Sequence, residues 1–136
     1  MLEAPLPARR DGGSIIAIVA TDAPLLPHQL KRLARRVSLG VGRSGTFSHH
    51  GSGDIFLAFS SAHADALAAR DGLAGLAFIP DRCLNPFFAA VVQAIDEAIV
   101  DSLIANQDMT GRDGHFVPAL PQAALLALLR TGSGPA

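Results

Sequence analysis

The chain contains 136 residues and carries a formal net charge of −1, which suits one ordinary domain or a piece of a larger one. A near-neutral charge and the lack of Trp and Tyr argue against general binding to nucleic acid or to an anionic membrane. Charged residues make up only 17%, below the roughly 25% usual for soluble domains. We therefore expect part of the surface to face another chain; the alternative is an Ala-rich soluble domain without a partner.

Neither a metal site nor another cofactor is expected. Cys83 is the only cysteine, which excludes an intrachain disulfide and a cysteine-based metal cluster. The five histidines have no metal-motif spacing. The first ten residues lack the apolar core of a signal peptide, and no apolar stretch reaches the ~20 residues that cross a bilayer. We expect a soluble, cytoplasmic protein.

The pattern predicts a short alternation of strands and helices. In chain order we expect a loop at 1–13, a strand at 14–21, and a helix that Pro27 opens and that Gly40 and Gly42 end. A loop at 43–53 and a strand at 54–60 follow, and then an ambiguous stretch at 61–82 with one short turn of helix or strand near 76–79. The last elements are a helix at 87–105 capped by Asn85 and Pro86, polar turns at 106–114, a helix at 121–130 and a disordered tail at 131–136. The strand at 14–21 is almost wholly apolar, which is typical of a strand covered on both faces. Two strands and three helices do not close a domain, so we expect part of a layered α/β sandwich.

Gly12-Gly13-Ser14 is the first candidate for chemistry. A serine hydroxyl held against the preceding carbonyl can attack it, and hydrolysis of the resulting ester would leave Ser14 as a new amino terminus. Its free α-amine, with a pKa of roughly 7.7–8, would suit a general base beside the nucleophile. Read alone, however, this tripeptide is as typical of a plain turn.

Gly51-Ser52-Gly53-Asp54 is the second candidate. In regular β geometry Ser52 and Asp54 share a face, because they are two residues apart. A hydroxyl and a carboxylate so placed could orient or polarise the base of a nucleophile. Read alone, a turn capped by Asp54 or a phosphate-cradling loop explains the segment equally.

Four segments of the chain closely resemble the β-subunit of the L-aminopeptidase/D-esterase family, which includes the β-peptidyl aminopeptidases. They are residues 14–36, 42–45, 51–60 and 109–115. The resemblance implies a precursor that cuts itself before a serine, giving α and β chains in an α-β-β-α sandwich that is similar to Ntn hydrolases but connected differently.

The same resemblance implies roles for individual residues. Ser14 matches the nucleophile after the cleaved Gly13-Ser14 bond, Ser52 the second catalytic serine, and Asp54 the acidic residue two positions later. It divides the chain into the tail of the α portion (1–13), a β-subunit region (14–130) and a disordered tail (131–136). We expect the fold to be incomplete without the α portion. His49-His50 stands where the resemblance implies small polar residues, so we expect the local shape of that loop to differ.

The expected function is that of a self-processing N-terminal-serine aminopeptidase, amidase or esterase acting through an acyl-enzyme on short peptides, amides or esters. The expected partners are the α portion of the same precursor and further αβ units in a homo-oligomer, with no nucleic acid and no membrane. The alternative is an inactive fragment or assembly subunit that completes a partner's sheet. An acyltransferase related to ornithine acetyltransferases is disfavoured, since that family has Thr where this chain has Ser14.

Overall fold

A computed structural model of the chain describes residues 13–68 and 71–132. The predicted loop at 1–13 lies outside the described residues except for Gly13, as do residues 133–136. In chain order the elements are β1 (Ile16–Thr21), α1 (Pro27–Arg43), β2 (Ile55–Ser60), α2 (Ala64–Leu67), α3 (Asn85–Ala105), β3 (Met109–Thr110), β4 (Phe116–Val117) and α4 (Gln122–Gly132), with 3-10 turns at Asp81–Cys83 and Arg112–Gly114. The chain forms two compact units, one ending at Asp96 and one beginning at Glu97.

The first unit is built around a parallel pair of strands. β1 and β2 pair in register, from Ile16 opposite Ile55 to Thr21 opposite Ser60. Parallel neighbours need a crossover connection, and α1 supplies it while packing on both strands. The mixed helix and strand content agrees with the predicted α/β class. The core side chains come from β1, the turn before α1, α1 itself, the residue before α3, and α3: Ala17, Leu25, Leu33, Val37, Val41, Leu84, Val91 and Ile95.

One face of this sheet is apolar and exposed. Ile16 and Ile18 on β1 are 71% and 59% exposed, and Ile55, Leu57 and Phe59 on β2 are also exposed. The prediction that β1 is covered on both faces is therefore wrong for the described part of the chain. The physical reason is that strand side chains alternate, and the described helices cover only one side.

Gly40 does not end α1, contrary to the prediction, and neither does Gly42, because the helix continues to Arg43. Gly40 is instead a point of close helix packing. A Cβ built on it would lie 2.7 Å from the Cβ of Ile95 and 2.9 Å from the carbonyl oxygen of Val92. The glycine thus marks where α1 meets α3, since only a residue without a side chain fits there.

The ambiguous stretch forms α2 and a 3-10 turn, and no regular element forms at 76–79. Its Ile79 N–H donates to the carbonyl of Pro24 at 3.0 Å. The next helix, α3, begins at Asn85, two residues before the predicted start. The N–H of Phe88 donates to the carbonyl of Leu84, so Asn85 lies within the first turn and not ahead of it.

The second unit holds the end of α3, a small hairpin and α4. β3, inside the predicted turn region at 106–114, pairs antiparallel with β4, which follows that region, and Met109 lies opposite Val117. The Nε2 of Gln122, at the start of α4, donates to the carbonyl of Ile104 at 2.6 Å. α4 extends to Gly132, two residues beyond the predicted end at 130, so the expected disorder does not begin at 131.

Candidate active site

The three residues singled out as catalytic candidates lie at one edge of the parallel sheet. Ser14 precedes β1, while Ser52 and Asp54 precede β2. Because parallel strands start at the same edge, the two segments meet there. The N–H of Ile55 donates to the carbonyl of Ile15 at 3.0 Å and continues the ladder toward that edge.

Asp54 is the centre of the hydrogen bonding at this edge. Its Oδ1 accepts from the backbone N–H of Ile15 at 3.1 Å and from the hydroxyl of Ser52 at 2.6 Å. Its Oδ2 accepts from the hydroxyl of Ser48 at 3.3 Å. One carboxylate therefore connects the residue after Ser14 with the second serine.

These donors also act on the charge of Asp54. The Ser52 hydroxyl and then the Ile15 amide lower the pKa of the carboxyl below its ordinary value; desolvation opposes them, and Ser48 lowers it further. The group is thus an anion at neutral pH. An anionic acceptor fixes the direction in which the Ser52 hydroxyl proton points.

Ser14 is held by backbone rather than by the carboxylate. Its Oγ accepts from the N–H of Gly53 at 2.9 Å. A Cβ at Gly53 would lie 3.4 Å from that oxygen, which is an ordinary contact. What positions Ser14 is the Gly53 amide, which any residue other than proline could supply.

An open cavity of about 230 Å³ lies beside these groups. Its walls include the peptide predicted to be cut and both serines: Gly13, Ser14, Ile15, Val41, Thr46, His49, Ser52 and Asp54. The His49 ring lies 4.3 Å from that of Phe47. His49 thus lies in the wall of the cavity that both serines line.

Sequence reasoning did not single out Ser48 or Thr46. Ser48 has φ +56°, and its N–H donates to the Oγ1 of Thr46 at 3.2 Å. The only available signal was the high content of hydroxyl residues and glycine in the loop at 43–53. Composition alone does not tell which hydroxyl reaches a carboxylate.

A second polar cluster fastens the start of α1 to the 3-10 turn. Gln29 is fully buried; its Nε2 donates to the carbonyl of Ile79 at 2.8 Å and to Oδ1 of Asp81 at 2.7 Å. The Gln29 hydrogen bond is the main cause that lowers the pKa of Asp81, and desolvation opposes it. Arg32 pairs with the same carboxylate at 3.0 Å, which adds an ion pair to the cluster.

Residues 13–68 and 71–132 contain no group of three or more His, Cys, Asp or Glu side chains arranged to hold a metal ion. No helix within the same ranges is long and apolar enough to cross a membrane.

Comparisons with known proteins agree with this geometry. The model of peptidase family S58 matches residues 2–117. The chain is 46% identical over 118 residues to the β-peptidyl aminopeptidase BapA of Sphingosinicella microcystinivorans, covering 87% of this chain and 30% of that protein. It is 40% identical over 122 residues to BapA of Sphingosinicella xenopeptidilytica, covering 89% and 30%.

Solved structures match the fold. The PH0078 protein of Pyrococcus horikoshii has a TM-score of 0.77 at 40% identity, over 90% of this chain and 34% of that one. The L-aminopeptidase D-Ala-esterase/amidase of Ochrobactrum anthropi, described as a variant of the Ntn hydrolase fold, has a TM-score of 0.74 at 39% identity, over 93% and 37%. A β-aminopeptidase of a Burkholderia species gives 0.76 at 38%, over 96% and 38%.

The chain thus spans about a third of the length of the relatives that it matches. The likeness covers both candidate segments and extends over nearly all of the described residues, so the resemblance seen in the sequence is confirmed. The predicted α/β fold is likewise that of the Ntn-hydrolase-type aminopeptidases. On this evidence the chain belongs to peptidase family S58.

Proposed function

We propose that this chain is the nucleophile-bearing part of a self-processing serine aminopeptidase that also acts on amides and esters. The observation that carries the proposal is the cavity in which Gly13, Ser14, Ser52 and Asp54 meet. A peptide bond that ends on a serine, a second serine and an anionic carboxylate are the parts that an N-terminal nucleophile needs. The names of the relatives support the aminopeptidase class.

The first step would be cleavage of the Gly13-Ser14 bond. The Ser14 hydroxyl gives up its proton and its oxygen bonds to the Gly13 carbonyl carbon; the C–N bond then breaks and the nitrogen takes a proton. Water hydrolyses the resulting ester, which leaves a carboxylate on Gly13 and a free amine on Ser14. Among the described residues, no atom lies within 4 Å of a Cβ built on Gly13.

The second step would use the new amino terminus. The Ser14 α-amine, near pKa 7.7–8 in its ordinary state, takes the hydroxyl proton as Oγ attacks the substrate carbonyl. An acyl-enzyme forms, the amine of the leaving group takes the proton, and water releases the acid. Asp54, held anionic by its donors, orients Ser52 and favours the protonated amine that develops in the attack.

The partner in this proposal is the α portion of the precursor. The exposed apolar face of β1 and β2 is the surface that a second sheet of a sandwich would cover. The length of the relatives supplies the polypeptide for it, because the chain corresponds to about a third of them. Further assembly of αβ units and a cytoplasmic location belong to the same proposal.

The competing candidate is an assembly subunit without activity, and the same exposed sheet face favours it. Oxyanion donors matter here, since the loss of one can lower the rate by ~10²–10³. An oxyanion hole formed by the α portion would make this chain inactive on its own. The two candidates differ in whether Ser14 becomes an amino terminus.

The experiment is co-expression of the chain with the α portion of a β-peptidyl aminopeptidase relative. We expect a mass that has lost residues 1–13 and hydrolysis of an aminoacyl anilide, both of which Ser14→Ala abolishes. Without the α portion we expect neither. An intact mass and no turnover, in a complex shown to have assembled, would leave the assembly subunit as the function.

A further inference from the structure

Ser48 occupies a backbone conformation that is unusual for its residue type. Its φ of +56° lies in the left-handed region, which is uncommon for residues other than glycine, asparagine and aspartate. The conformation is fixed locally, because the Ser48 N–H donates to Oγ1 of Thr46 at 3.2 Å. Backbone strain of this kind persists where the surroundings hold it, and such residues cluster at functional sites.

The conformation brings the Ser48 hydroxyl to Asp54. Its Oγ donates to Oδ2 at 3.3 Å, whereas Ile15 and Ser52 both use Oδ1. The terminal torsion of an aspartate is broad and roughly two-fold. A carboxylate bound only through Oδ1 would rotate more freely, and a donor on Oδ2 limits that rotation.

We propose that Ser48 is a positioning residue that fixes the plane of the Asp54 carboxylate, and through it the directions of Ser52 and the Ser14 backbone. The assignment of an activity effect rests on the proposed function; the contact itself does not. The hydrogen bond from the Ser48 hydroxyl depends on the strained backbone, because relaxing φ to a negative value would turn the hydroxyl away from Oδ2.

Any pH measurement has to distinguish the titration of Asp54 from that of other titratable groups nearby. Among the described residues that line the cavity, His49 is the other titratable side chain. In the processed chain the Ser14 amine would be a third group. The measurement is therefore made in a Ser14→Ala background, which keeps the chain uncut, and is repeated with His49→Gln to remove the ring.

The test is a carbon-13 NMR titration of the Asp54 carboxyl in the full chain. Ser48→Ala removes the hydroxyl and keeps the strain, whereas Ser48→Gly removes both. We expect both to raise the pKa of Asp54, because each deletes a donor to the charged form. Ser48→Asn, which tolerates the left-handed region and carries an amide donor, should restore the wild-type titration. An unchanged titration in folded Ser48→Ala and Ser48→Gly would overturn the proposal.

The activity readout follows in the complex with the α portion. Loss of one positioning hydrogen bond should lower kcat about fivefold and leave KM unchanged. Ser48→Asn should recover kcat. If the wild-type complex hydrolyses nothing, the proposed function fails while the titration still decides the role of Ser48. If the Ser48 variants only raised KM and left the Asp54 titration unchanged, the positioning role would be contradicted.

Discussion

The carboxylate of Asp54 accepts a hydrogen bond from the backbone N–H of Ile15 across 39 residues of chain, at 3.1 Å. The bond joins the residue after Ser14 directly to the residue that orients Ser52. It is made at the start of two parallel strands whose register is set by six paired residues on each side. The position of the candidate nucleophile is therefore coupled to the packing of the sheet.

Replacing Asp54 by Asn keeps the size of the side chain and removes its charge. We expect Asp54→Asn to lower self-cleavage and hydrolysis about 100-fold, because the protonated amine loses its anionic neighbour and Ser52 its strongest acceptor. Single-turnover cleavage and anilide hydrolysis in the assembled complex measure it. Asp65→Asn, at an exposed position on α2, is the control; equal rates in the two variants would contradict the assignment.

The pKa of Asp54 should respond to Ser52. The Ser52 hydrogen bond is the largest cause that lowers the pKa of Asp54, so its removal raises that pKa. The anion is then lost at a higher pH as the solution is acidified, and a carbon-13 NMR titration of the Asp54 carboxyl in Ser52→Ala should move to higher pH. Ser38→Ala removes a hydroxyl from the exposed side of α1 and should leave the titration in place. An Asp54 titration that does not move in Ser52→Ala would exclude this coupling.

Gln29 should contribute to stability through its three hydrogen bonds. Gln29→Met keeps the volume but leaves the N–H of Leu26 and the carbonyl of Ile79 without their side-chain partner. We expect a loss of about 2 kcal/mol in the free energy of unfolding, measured by urea denaturation. Gln93→Met, at an exposed position on α3, should change it little. Equal stability of the two variants would contradict this prediction, because it would mean that other hydrogen bonds replace those of Gln29.

The two glycines in α1 should behave in opposite ways. Gly40→Ala forces a methyl against Ile95 and Val92 and should cost about 1–3 kcal/mol. Gly42→Ala meets nothing within 4 Å and should stabilise the helix by about 0.5 kcal/mol. Thermal unfolding of both variants measures the contrast, and a destabilised Gly42→Ala would refute the packing explanation.

The exposed sheet face should decide association with the α portion. Leu57 is 53% exposed on β2, and a charge there would be buried without a partner in the assembled sandwich. We expect Leu57→Glu to abolish co-purification with the α portion and to improve the solubility of the separate chain. Leu67→Glu, on α2 and 76% exposed, is the matched control. Undiminished co-purification of Leu57→Glu would place the interface elsewhere.

The sequence allowed β1, β2 and the long helices to be predicted, because each depends on a local pattern, whereas β3 and β4 were not predicted. The apolar run after Ser14 identifies β1, and Pro27 identifies the start of α1. The end of α1 was not predictable in this way: Gly40 reads as a helix terminator until its contact with Ile95 is known. Whether a glycine ends a helix or admits a neighbour is a property of tertiary packing.

The candidate site was likewise predictable where it depends on local sequence and not where it depends on tertiary structure. The two-residue spacing of Ser52 and Asp54 suggested a shared face, the family resemblance singled them out, and the structure places their side-chain oxygens 2.6 Å apart. Ser48 was missed because its role depends on a backbone conformation that no propensity assigns to serine. The Gln29–Asp81 pair was missed because its partners are 52 residues apart and neither belongs to a recognisable motif.

The starts of β1 and β2 carry the site, while the opposite ends of both strands lead into the turns before α1 and α2. The two ends of the sheet therefore differ in how they should tolerate changes of chain length. A residue added between Gly51 and Asp54 would displace the hydroxyl that donates to the Asp54 carboxylate by a full strand step of about 3.3 Å. A residue added between Gly72 and Leu73 would enlarge only a surface loop, since the side chain of Leu73 is fully exposed. Tags and linkers for studying this chain belong at that second position.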